Sequence, residues 1–357
     1  MRPERLLKKS IRGMSPYNGV EPTGIRMDTN ANLLGANPVV TKFFGQFDPL
    51  ELNDYPTPHS DLLRRRLAQL HGLGTNQFIV GNGADELLDL TIKCFIDPGD
   101  RLVLPDPSFG MYETFGRVNC ADIVKVPLTQ DWQLDVDRIL STRATMAVIC
   151  SPNNPTGNSF NDADLESIIE EFDGIVVLDE AYTEYACKSH LPLIDRYRNL
   201  VVLRSFSKAY GLAGLRVGYA ASTVPLIEQM YRAKAPYNLN VISEGIAAAA
   251  LMERKFLSST VRRMEHERER MRRRLEELGF MVYPSETNFL LVRTPVRSRT
   301  LCRRLYKRGI VIKDLNGHPR LRDHVRITLG DRYLNERLLR ALRKALGKKE
   351  PTKLLLA

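Results

Sequence analysis

Lys208 is the side chain of this sequence best placed for covalent chemistry. It sits in Ser205-Phe206-Ser207-Lys208-Ala209-Tyr210-Gly211, between hydroxyl residues and a glycine turn, and Arg216 follows eight residues later. The run Leu200-Val201-Val202-Leu203 ahead of it reads as a buried strand, so the lysine emerges from a strand end rather than from a solvated helix face. An amine held there is desolvated, its pKa falls, and it becomes a usable nucleophile. Taken alone, Lys208 reads as solvated charge in a polar loop, as most lysines are. Its company changes that reading. Asn154 follows the apolar run Met146-Ala147-Val148-Ile149-Cys150, and Asp179 and Tyr182 follow Ile175-Val176-Val177-Leu178.

A further segment, Gly81-Asn82-Gly83-Ala84-Asp85-Glu86, follows the short strand Phe78-Ile79-Val80 and opens a helix. Exposed backbone N–H groups at a helix start favour an anion such as phosphate. The segment is neither a GKS/T phosphate loop nor a dinucleotide GxGxxG, and by itself it reads equally as a plain helix-opening turn. Together the residues form a set: an amine, an acid able to hold a ring N–H, and an Asn and a Tyr able to bond a phenolate. Arg216, Ser205 and Ser207 can complete a phosphate site. Those are the tasks of a protein that binds pyridoxal phosphate, whose ring acts as electron sink.

The elements that must position these residues alternate strand with helix from about residue 60 to the strand before Lys208, which predicts a mainly parallel sheet covered on both faces. Ligands bind such sheets at the strand C-terminal ends. Residues 1–40, rich in Pro, Gly and Asn, read as an irregular arm that packs on the small domain or a partner subunit. Residues 41–245 read as the large domain. Residues 246–357, with a long helical stretch to Leu278 and then shorter strands, read as a smaller α+β domain.

Composition excludes several classes. Of 357 residues, 43% are apolar and 26% charged, which is ordinary globular composition. No apolar run approaches the ~18 residues of a membrane span, and no apolar segment follows the N-terminal charges, so a membrane and a secretory route are not expected. The five cysteines are scattered without a CxxC pair and the histidines lack ligand spacing, which points to no metal and to reduced thiols in the cytoplasm. The net charge is +10, but in the most charge-dense stretch, Val261–Leu278, seven Arg and five Glu at helical spacing read as a solvated face rather than a nucleic-acid surface.

Tyr55-Pro56, Gly83-Ala84-Asp85-Glu86, Pro105-Asp106-Pro107-Ser108-Phe109-Gly110-Met111-Tyr112, Asn153-Asn154-Pro155-Thr156-Gly157, Asp179-Glu180-Ala181-Tyr182 and Ser207-Lys208 with Arg216 resemble fold-type I pyridoxal-phosphate aminotransferases. Within them the chain most resembles histidinol-phosphate aminotransferases, through Trp132-Gln133-Leu134-Asp135, Ala235-Pro236-Tyr237-Asn238, Tyr283-Pro284-Ser285-Glu286-Thr287-Asn288-Phe289 and Arg326-Ile327-Thr328.

The resemblance implies an α/β fold with a mainly parallel seven-stranded sheet plus a smaller α+β domain, and pyridoxal 5'-phosphate as cofactor. It also implies transamination between L-histidinol phosphate and 2-oxoglutarate. Lys208 would form the imine and carry the proton. Asp179 would hold the pyridinium nitrogen, Asn154 and Tyr182 the ring oxygen, and Phe109 would stack on the ring. Ala84, Asp85, Ser205, Ser207 and Arg216 would hold the phosphate. Tyr55 would reach the neighbouring subunit's cofactor, implying a homodimer with shared sites. Tyr17, Asn32, Arg326 and Arg337 would serve the substrate, with Lys313 near a position where the family usually has Arg.

The family's Asn-Glu-Asn-Pro arm reads Asn30-Ala31-Asn32-Leu33 here, which leaves the amino donor open. The threonine-phosphate decarboxylases of cobalamin synthesis and aminotransferases of aromatic or other amino acids are the alternatives that share this site.

Overall fold

A computed structural model describes residues 6–15 and 24–348; Tyr17 lies outside the described residues. The first strand, β1 (Ile25–Met27), belongs to a small sheet. The seven that follow form the large one: β2 (Phe78–Gly81), β3 (Arg101–Asp106), β4 (Asp122–Pro127), β5 (Met146–Cys150), β6 (Ile175–Asp179), β7 (Leu200–Ser205) and β8 (Gly218–Ala221). Their spatial order is β2-β8-β7-β6-β5-β3-β4. Strands β3 to β7 run parallel, while β8 is antiparallel to both β7 and β2.

Every residue of β5 and β7 is buried, as expected of strands covered on both faces. The two-residue alternation of a strand divides them between two cores. Leu200 and Val202 join Ala147 and Ile149 on one side, and Val201 and Leu203 join Val148 on the other. The mainly parallel sheet is therefore the one the apolar runs imply.

Two elements escape sequence reading. Strand β8 has four residues and begins with glycine; a Cβ on Gly218 would lie 2.4 Å from the Ala84 amide nitrogen. That close approach brings the Gly83-Ala84 turn beside the chain that leaves Arg216. Strand β1 lies within the segment read as irregular: three residues pair in parallel with β11 (Ile310–Asp314), and Met27 and Leu34 enter the small-domain core. The remaining small-sheet strands are β9 (Met281–Val282), β10 (Phe289–Arg293) and β12 (His324–Thr328), in the order β1-β11-β12-β10-β9.

The long helical stretch is two helices, Val241–Met252 and Arg254–Glu277, parted at Glu253. The first puts Ile246, Ala247, Ala250 and Leu251 into the core of the large sheet, so the boundary expected at 245 falls inside a helix of that domain. The second sends Met264, Met271 and Leu275 into the small-domain core. Its outer face carries the pairs Arg272–Glu276 and Arg273–Glu269 at helical spacing. Among the described residues no helix is long and apolar enough to cross a membrane, and no cluster of His, Cys, Asp and Glu could hold a metal ion.

Candidate active site

The C-terminal ends of β5, β6 and β7 deliver Asn154, Asp179 and Lys208 to one cleft. Lys208 follows β7 by three residues, its Nζ 5.4 Å from the centre of the Tyr182 ring. Burial and then the Arg326 guanidinium lower its pKa to about 8, against the opposing pull of Asp85 and Asp179. A strand-end lysine in this setting is neutral far more often than a solvated one.

Asp179 closes β6 and is buried. Its Oδ2 accepts a hydrogen bond from the Tyr112 hydroxyl at 2.6 Å, and its Oδ1 accepts from the Ala181 amide at 3.0 Å. Burial nevertheless pushes its pKa up to about 6, because both donors are neutral. Phe109, half-buried, stands edge-on to Tyr112 with ring centres 5.4 Å apart.

Tyr182 is buried, and its hydroxyl accepts from Asn30 Nδ2 at 2.9 Å. Asn154 Oδ1 accepts from Arg326 Nη1, while Arg326 Nη2 donates to the Asp28 carbonyl. This buried arginine thereby joins the end of β5, the arm and β12. Asn32 Nδ2 donates to the carbonyl of Ala209, the residue after Lys208, at 3.1 Å.

A cradle forms where the helix Ala84–Phe95 starts. Gly83 has φ +90°, and a Cβ there would lie 2.7 Å from Arg216 Nη2, so the bare backbone lets the guanidinium reach the helix N-terminus. Arg216 itself adopts φ 54° and donates to Asp85 Oδ2 at 3.1 Å and to Ser207 Oγ at 3.4 Å. The Ser207 amide donates to Ser205 Oγ at 3.1 Å. Helix amides, two hydroxyls and a guanidinium converge as a phosphate requires. An acid and an amine beside them suit the two ends of a pyridoxal ring, so these residues fit that cofactor.

The model of the family "Aminotransferase class I and II" matches residues 22–342. The chain belongs to that family. It is 37% identical over 346 residues to a histidinol-phosphate aminotransferase of Thermococcus gammatolerans, covering 96% of this chain and 98% of that one. A chloroplastic histidinol-phosphate aminotransferase of Arabidopsis thaliana is 38% identical over 340 residues, 93% of this chain and 81% of that one. Among solved structures, the histidinol-phosphate aminotransferase of Sinorhizobium meliloti in complex with pyridoxal-5'-phosphate superposes with a TM-score of 0.87 at 25% identity, covering 96% and 97% of the two chains.

In this aminotransferase the other expected residues lie further out. Tyr55 is 77% exposed and stacks on Tyr237, ring centres 4.8 Å apart. Arg337 is exposed on the helix Arg332–Ala345, its guanidinium 5.8 Å from the Tyr333 ring centre. Lys313 is exposed on β11 and stands opposite Arg326 in the strand register. Two participants went unseen in the sequence: Tyr112 as partner of Asp179, and Asn30 as partner of Tyr182. The one available signal for Tyr112 is its place three residues after Phe109, one helical turn on.

Proposed function

We propose that this chain catalyses transamination between L-histidinol phosphate and 2-oxoglutarate with pyridoxal 5'-phosphate as cofactor. One observation carries the reading. A desolvated Lys208, a buried Asp179 and the Gly83–Arg216 cradle meet in one cleft of a chain related along nearly its whole length to histidinol-phosphate aminotransferases.

When bound, the cofactor supplies an electron-poor ring that takes up the electron pair left at the substrate Cα. Lys208 would hold the cofactor through its aldehyde and, when free, would carry the proton to and from the substrate Cα. Its pKa of about 8 leaves part of the amine neutral near pH 7, the form that can accept a proton. Asp179, ionised above its pKa of about 6, holds the ring N–H. Asn154 and Tyr182 bond the ring oxygen, and Phe109 covers one face, which requires only an aromatic surface. The amides of Ala84 and Asp85, with Ser205, Ser207 and Arg216, grip the phosphate.

Arg326 is the anion grip of the substrate side, for the phosphate of L-histidinol phosphate in one half-reaction and a carboxylate of 2-oxoglutarate in the other. Asn32 steadies the arm against Ala209, and Tyr17, Arg337 and Lys313 add to substrate recognition. The exposed Tyr55–Tyr237 pair suits a homodimer in which Tyr55 reaches the partner's cofactor phosphate. A cytoplasmic enzyme of histidine synthesis, with small-molecule substrates and no nucleic-acid partner, is the corresponding biology.

The test is glutamate formation from L-histidinol phosphate and 2-oxoglutarate by the cofactor-loaded protein. Substitution Arg326→Met raises KM for both substrates. Release of carbon dioxide from threonine phosphate without glutamate formation contradicts the reading.

A further inference from the structure

Tyr182 is buried with Lys208 Nζ 5.4 Å from its ring centre, and a closed set of hydrogen bonds at its hydroxyl decides which way the proton points. Asn30, 1% exposed, holds φ 57°, a left-handed conformation that asparagine tolerates better than most residues. Its main-chain N–H donates to Thr328 Oγ1 at 3.0 Å, and the Thr328 hydroxyl donates back to Asn30 Oδ1 at 3.1 Å. Asn288 Nδ2 donates to the Asn30 carbonyl at 3.0 Å and fixes the segment from the start of β10. Thr328 is fully buried, and its hydroxyl donates to nothing else among the described residues.

Those bonds orient the Asn30 amide. With its oxygen facing Thr328, the buried Thr328 hydrogen has an acceptor, and Nδ2 is turned to Tyr182 Oη at 2.9 Å. The reversed amide would place two N–H donors on the Thr328 oxygen and leave its buried hydrogen unpaired, which costs free energy. Asn30 is also the one hydrogen-bond partner of the Tyr182 hydroxyl among the described residues. An oxygen that accepts from Asn30 keeps its own hydrogen free to donate into the cleft.

We propose that Asn30, locked by Thr328, is a positioning residue that sets Tyr182 as a hydrogen-bond donor toward the anionic ring oxygen of the bound cofactor. The inference rests on the cofactor reading above. The charged and titratable groups around Tyr182 are Arg326, Lys208, Asp179, Cys150 and Tyr185. Burial raises the pKa of the phenol, which keeps its proton in place for donation.

A donor on that oxygen stabilises its anionic form, so the pH midpoint at which the bound cofactor changes its visible absorbance is lowered by the donor. Tyr182→Phe removes the donor outright and raises the midpoint by about one pH unit, the scale of a hydrogen bond to a charged group. Asn30→Gly, which keeps the left-handed backbone accessible, and Thr328→Val each raise it by part of that amount. In a Tyr182→Phe background neither shifts it further, because both act through the same hydroxyl.

The experiment is a pH titration of visible absorbance on pyridoxal-phosphate-loaded wild type, the three single variants and the two double variants, with a melting curve for each. Unchanged midpoints in Asn30→Gly and Thr328→Val overturn the inference, as do shifts that persist in full without the Tyr182 hydroxyl. Should Asn30→Gly not fold, Thr328→Val alone and in the Tyr182→Phe background decides by the same criteria. Wild-type protein that takes up no pyridoxal phosphate overturns the cofactor reading itself, a different outcome from unchanged midpoints.

Discussion

Asp179 and Glu180 are chain neighbours, both buried, at the end of the same strand, and electrically they are opposites. Asp179 faces the cleft with two neutral donors, and burial pushes its pKa up to about 6. Glu180 faces the other way. Burial opposes its ionisation too, but Arg204 and His190 hold it below the usual carboxylate range. Arg204 donates to Glu180 Oε2 from Nε at 3.0 Å and Nη2 at 2.8 Å, and Ser189 donates to the same oxygen at 3.1 Å.

The same division runs along β7, where Arg204 turns to that ion pair and Ser205 lies beside the Ser207 amide. Behind the strand ends the fold neutralises its own charges and ties β6 to β7. In the cleft it leaves an acid and an amine without full compensation, for something bound to complete. The difference separates structural charge from functional charge on adjacent residues.

The comparison can be broken in three places. The largest effect is on catalysis: Lys208→Ala lowers turnover by more than about 10⁴-fold, since proton transfer alone contributes roughly 10²–10⁴-fold and the covalent anchor is lost as well. Melting temperatures measured alongside show the fold intact. Next, Glu180→Ala leaves the buried Arg204 guanidinium with Glu184, 3.6 Å away, as its remaining carboxylate, and destabilises the cofactor-free protein by about 3 kcal/mol in urea unfolding. A loss below about 1 kcal/mol would mean that the pair behind the cleft is not structural.

The smallest effect has the opposite sign. The folded pKa of Asp179, about 6, lies above the ordinary carboxylate value, so folding favours its protonated form. The associated stability is present at low pH and is lost as pH rises through about 6. Asp179→Asn removes that pH-dependent loss. The cofactor-free variant is therefore more stable than wild type at pH 8, by about 2 kcal/mol, with the difference fading below about pH 4. The same substitution weakens pyridoxal phosphate binding, measured by equilibrium dialysis.

The sequence made one half of this comparison readable. Buried parallel strands read as short apolar runs, so the polar residues that end them, Asn154, Asp179 and Lys208, stand out. The glycines beside Arg216 and Ala84 were visible as a turn, but not as the close approach of β8 to the helix start, because β8 is four residues long. Contacts across the fold were not readable: Tyr112 lies 67 residues from Asp179, and Asn30 lies 152 from Tyr182. No local pattern specifies such pairs; they exist because the sheet and the arm are packed together. The domain boundary escaped for a different reason. Ala247-Ala248-Ala249-Ala250 carries too little contrast between faces to show which core the helix joins.

The most direct test of the central claim is single-turnover spectroscopy of the cofactor-loaded protein mixed with L-histidinol phosphate in the absence of any oxo acid. The visible band of bound pyridoxal phosphate should disappear as the pyridoxamine form accumulates, should return on adding 2-oxoglutarate, and should show neither change with Lys208→Ala. A visible band that persists with L-histidinol phosphate but is discharged by another amino donor would contradict the proposed substrate, and an unaltered response in Lys208→Ala would contradict the site itself.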